Sequence, residues 1–128
     1  MLKLFALALA AASVAAPAHN VRGAQIVKVT LADYKFVPPT IQLPAGKAVI
    51  LRLANAADQP HEFAAPEFFR AAMVRQTDMK FINKEGEAEV EPGKQVDIML
   101  VAKAGTYHLQ CNKPGHNALG MHGSIVVK

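Results

Sequence analysis

The chain has a single cysteine, Cys111, so no disulfide can form within it. It has no basic cluster: 14 Lys and Arg and 10 Asp and Glu are dispersed, for a formal charge of +4, which is not the footprint of a nucleic-acid binder. It also lacks a Ser, His and Asp arrangement, a glycine loop fit to cradle phosphate, and paired carboxylates at telling positions. Hydrolytic and phosphoryl-transfer chemistries therefore have no foothold, and an enzyme is not expected. Past residue 18 no long apolar run occurs, which argues against stable membrane insertion. No internal repeat or low-complexity tract follows it either.

Residues 1–18, MLKLFALALAAASVAAPA, combine Lys3, a continuous apolar run, and Ala16 and Ala18 around Pro17. This is the pattern of a secretory signal peptide cut before His19. A transmembrane anchor is the alternative, but the run is alanine-rich and short against the ~20 residues a bilayer requires. The expected mature chain, residues 19–128, is long enough for one domain and too short for two. Losing Lys3 takes its formal charge from +4 to +3. With no lipidation cysteine beside the cut, a soluble periplasmic product is expected. In such a compartment a leftover thiol asks for an explanation, either metal ligation or inert burial.

The remaining sequence reads as strands. Val27, Val29 and Leu31 alternate with Lys28 and Thr30, and Val49, Leu51 and Leu53 alternate with Ile50 and Arg52. Between them, Pro38, Pro39, Pro44 and Gly46 punctuate two turns. A strand at residues 88–91, a Pro92-Gly93 turn, and Val96, Ile98 and Leu100 alternating with Gln95, Asp97 and Met99 follow. About seven short strands of this kind predict an all-β antiparallel sandwich. One short helix is expected over residues 66–73, where Pro66 suits a first helical turn and Phe63, Phe68 and Phe69 are placed to cover an edge of the core. Met73 and Met79 read as core filling.

Residues 105–123, GTYHLQCNKPGHNALGMHG, carry the chemistry. Tyr107, Leu109 and Cys111 share one strand face, with Thr106, His108 and Gln110 on the other. Pro114 and Gly115 then force a turn that can return His116 over the sulfur. From Met121 the alternation resumes, placing Met121, Gly123, Ile125 and Val127 on one face and His122, Ser124, Val126 and Lys128 on the other. A thiolate, an imidazole and a thioether are donors suited to copper. Two histidines and a cysteine with a weak axial methionine describe a blue-copper electron-transfer site. His61, in AADQPHEF, is the candidate for the second histidine, although a histidine in such a loop is also an ordinary surface residue. His108 and His122 fall on outward positions. His19 would add a chelating amino terminus only if cleavage falls before it.

The run YHLQCNKPGHNALGMHG resembles the copper-binding end of the cupredoxins. The resemblance implies a Greek-key β-sandwich holding one copper ion, cycling between Cu(II) and Cu(I), on His61, Cys111, His116 and Met121. It further implies that His116 reaches the surface among Pro114, Ala118 and Leu119. Glu62 departs from the asparagine that many members carry after the first histidine, where it braces the two ligand loops. Such a monomer would carry single electrons between redox partner proteins. A copper carrier or copper-tolerance protein, delivering the ion to copper-accepting proteins, would use the same donors, and a metal-free structural domain is the third reading.

Overall fold

The structure, a computed structural model, describes residues 23–114 and 121–128. The expected signal peptide at residues 1–18 lies outside them, as do His19, His116, Ala118 and Leu119. The described elements run β1 (Gln25–Ala32), β2 (Lys35–Val37), β3 (Thr40–Leu43), β4 (Ala48–Asn55), β5 (His61–Ala64), α1 (Pro66–Ala71), β6 (Met73–Val74), a 3₁₀ segment (Gln76–Phe81), β7 (Glu87–Val90), β8 (Gln95–Val101), β9 (Gly105–Gln110) and β10 (His122–Val127). Two five-stranded sheets form, ordered β2-β1-β4-β8-β6 and β3-β10-β9-β5-β7. The fold is the expected all-β sandwich. No helix among the described residues is long and apolar enough to cross a membrane.

The sandwich is not wholly antiparallel, because β1 pairs with β4, and β3 with β10, in parallel. The cause lies at Pro38 and Pro39. With no N–H to give a ladder, they end β2, and the chain continues as β3 in the opposite sheet. β4 then returns to the first sheet running alongside β1, as a parallel pair joined by a crossover must. Two strands thus flank the prolines where only turns were expected.

Period-2 burial is clean where both faces are set by the sandwich: Val49, Leu51 and Leu53 are fully buried while Ile50 and Arg52 are half-buried. It fails at Met99, which holds an outward position in β8 yet is buried. The 3₁₀ segment folds across that face. Asp78 accepts a hydrogen bond from the Met99 backbone N–H at 2.9 Å and from Arg75 Nε at 2.8 Å. α1 also ends sooner than predicted, at Ala71, because Ala72 turns to an extended conformation and Met73 joins β8 as the edge strand β6. Met73 and Met79 are exposed, at 66% and 46%, and so do not fill the core. Phe63, placed by sequence at a core edge, is instead central and fully buried.

Burial by itself would raise the Asp78 carboxyl, but the Arg75 guanidinium and the Met99 N–H outweigh it and hold the group below its ordinary value of 3.8. A carboxyl depressed on folding adds stability that is complete above its unfolded pKa and is lost as pH falls through the lower folded value. Asp78→Asn should cost about 2 kcal/mol near neutrality, the scale of hydrogen bonds to a charged group. The deficit should shrink as pH falls below the ordinary Asp value of 3.8, as urea unfolding at neutral and at acid pH would register. An equal deficit at both would assign the loss to packing alone.

Candidate metal centre

Strand direction brings three of the candidate donors to one end of the sandwich. In the second sheet β10, β9 and β5 are neighbours, each antiparallel to the next. The start of β5, the end of β9 and the start of β10 therefore lie at one pole. His61 opens β5, Cys111 follows Gln110 at the end of β9, and Met121 precedes β10. All three are fully buried. The Cys111 N–H donates to the Met121 carbonyl at 3.0 Å, extending the β9–β10 ladder past its last strand pair, His122↔Gln110. The inward parity expected for Cys111 and Met121 is the one observed.

His61 is a strand residue rather than a loop residue, and it is not on the surface. Asn55, also buried, shapes the connection that delivers it. Its Nδ2 donates to the carbonyls of Gln59 and Val90, each at 2.8 Å, while its Oδ1 accepts from the Ala57 N–H at 2.9 Å. These bonds fold residues 55–61 back onto β7, so that β5 starts at the pole with its first side chain turned inward.

The Glu62 backbone N–H donates to the Cys111 Sγ at 3.4 Å and links β5 to the segment that follows β9. Burial pushes the Cys111 thiol up, and the N–H groups of Glu62 and Lys113 oppose that shift without cancelling it. Without a bound cation the proton thus stays on sulfur, whereas a cation would take the thiolate and gain from both N–H groups. Among the described residues no three His, Cys, Asp or Glu side chains cluster as a metal site. A thioether is not in that set, and His116 is not among the described residues. A buried imidazole, a buried thiol with N–H donors aimed at its sulfur and a buried thioether fit a soft or borderline ion such as copper.

A charged group borders this pole. Lys113 Nζ lies 3.5 Å from Glu62 Oε1 and 2.7 Å from Glu89 Oε2. The Glu62 carboxyl is raised, first by burial and then by the neighbouring Glu87 carboxyl, while Lys113 holds Glu89 below its usual range. The sequence by itself draws notice to Glu62 but not to Lys113, whose only signal is a lone cation two residues past the cysteine, facing a strand of alternating glutamates. His108 and His122 are exposed, as their parity required, and His108 Nε2 lies 2.9 Å from Gln110 Oε1.

Comparison with known proteins is consistent with this geometry. The chain is 29% identical over 119 residues to the copper-resistant cuproprotein CopI of Rubrivivax gelatinosus, covering 88% of this chain and 72% of that protein. It is 26% identical to the CopI of Pseudomonas aeruginosa, covering 88% and 81%. Among solved structures, the auracyanin of Roseiflexus castenholzii superposes with a TM-score of 0.61 at 17% identity, covering 83% of this chain and 99% of that one. Residues 4–127 match the family described as the cupredoxin-like domain. With nearly its whole length matched, the chain belongs to the cupredoxin-like domain family.

Proposed function

We propose that this chain is an exported type 1 copper protein that carries single electrons between redox partner proteins. The observation that supports the reading is that His61, Cys111 and Met121, all fully buried, lie at one pole of the sandwich. His116 completes the proposed donor set. A bound copper ion would supply a one-electron couple, Cu(II) to Cu(I). The chain's own part is to keep that site dry and preset. β5 sets His61 inward at the pole, the Cys111–Met121 backbone bond fixes the spacing of the two sulfurs' residues, and the Glu62 N–H would steady a thiolate. Four donors leave no open position for a substrate, so a carrier is proposed and not a catalyst. We also propose removal of residues 1–18, a periplasmic location and a monomeric state, in line with the leader that the sequence predicts.

Adding Cu(II) to the purified chain should give an intense visible absorption band that bleaches on reduction and returns on reoxidation. A colourless product with copper bound elsewhere would overturn the site assignment.

A second reading has specific support, since both relatives cited above are copper-resistant cuproproteins. In that role the same donors would sequester or deliver copper. Fast electron self-exchange at the centre supports the electron carrier. Preferential retention of Cu(I), followed by its transfer to a copper-accepting protein, supports copper tolerance.

A further inference from the structure

Lys113 stands between two carboxylates that the sheet sets face to face. Glu62 of β5 and Glu89 of β7 are direct partners in the antiparallel register, and like charges so opposed repel. The Lys113 ammonium enters from the segment after Cys111 and contacts both, at 3.5 Å and 2.7 Å. Its neighbour Asn112 donates through Nδ2 to Glu87 Oε1 at 3.4 Å, a second tie between the same two elements.

Those ties matter because the backbone ladder gives out here. β9 meets β5 at one registered pair, Ala64↔Gln110. Beyond it, the ties of the cysteine segment to β5 and β7 include side-chain contacts and the Glu62 N–H to Cys111 Sγ bond of 3.4 Å. The Glu62 and Lys113 side chains are only 13% and 28% exposed, so their attraction is screened less than a surface pair's.

We propose that Lys113, clasped by Glu62 and Glu89, is a positioning residue that holds the Cys111 sulfur against the Glu62 N–H and thereby tunes the sulfur as a metal ligand. The tuning half rests on the copper reading above, whereas the clamping half does not. An N–H held against a ligating sulfur withdraws electron density from it, so loosening the clamp should alter the metal–sulfur bond.

The test compares Lys113→Met with Lys113→Arg, which keeps the charge. In the metal-free protein, Lys113→Met should speed amide hydrogen exchange at Glu62 and alkylation of Cys111 by iodoacetamide by about two- to fivefold, the factor a partly exposed ion pair contributes to a local opening. In the copper-loaded protein the sulfur-to-copper band should shift. Lys113→Arg should restore all three readouts, and Glu89→Gln should move them in the same direction as Lys113→Met. Exchange and alkylation rates equal to those of the unsubstituted chain would overturn the clamp. A uniform rise across β1 and β4 amides would overturn it too, by marking general destabilisation. If the unsubstituted protein gives no visible band with Cu(II), the copper reading fails and the two metal-free rates still decide the clamp.

Discussion

Cys111→Ser should abolish the visible band that Cu(II) induces and weaken copper binding by more than roughly a hundredfold, since even outer-shell partners are worth 10–100-fold. The expected loss is total because the band belongs to the thiolate, and a serine hydroxyl neither ionises near neutrality nor offers a soft donor. The substitution is close to isosteric. The backbone bond from residue 111 to the Met121 carbonyl needs no side chain, so the pole should stay in place. A buried hydroxyl with an imperfect partner costs about 1–3 kcal/mol, which a melting curve would detect without loss of the fold. Absorption and copper affinity measured on the same preparation separate the two effects. A variant that keeps an intense band would place the chromophore elsewhere and remove Cys111 from the centre.

Much of such a site is legible in the sequence because strands encode direction. On β9 and β10 one face is core and the other solvent, so a one-residue slip would expose Leu109 and Ile125, both fully buried. The register is thereby fixed, and with it the inward aim of Cys111 and Met121. His61 is legible only as a candidate. Its burial depends on Asn55 bending the preceding residues, through contacts to Gln59 and to Val90, 35 positions away. Lys113 is illegible for a similar reason, because its partners Glu62 and Glu89 become neighbours only through the β5–β7 register. The short strands β2, β3 and β6 carry too few residues for periodicity to register. The burial of Met99 depends on Asp78, a residue that sequence alone would leave in solvent. Local alternation thus specifies what each strand buries, and long-range pairing decides what each loop meets.

Phe63→Ala should be the most damaging core truncation that also reaches the metal pole. Phe63 is fully buried, meets the Phe36 ring edge-on at 6.1 Å and the Phe69 ring at 5.8 Å, and so ties the β2 hairpin and α1 to β5 of the second sheet. Removing it forfeits two aromatic contacts and leaves a cavity between elements that the sheets hold apart. Such truncations cost about 3–5 kcal/mol. For a domain of this size the thermal midpoint should drop by roughly 10–20 °C. Phe63→Leu refills most of the volume and should recover more than half of that. The same strand carries His61 two residues earlier, with Glu62 between them, so slackening there loosens the imidazole as well as the core. A metal that binds only the native pole should raise the variant's midpoint by mass action, and by less than it raises that of the unsubstituted chain. A midpoint within about 3 °C of the unsubstituted chain would mean that the layers close over the gap. The aromatic cluster would then be filling, and the alignment of the pole would have to come from the backbone ladders alone.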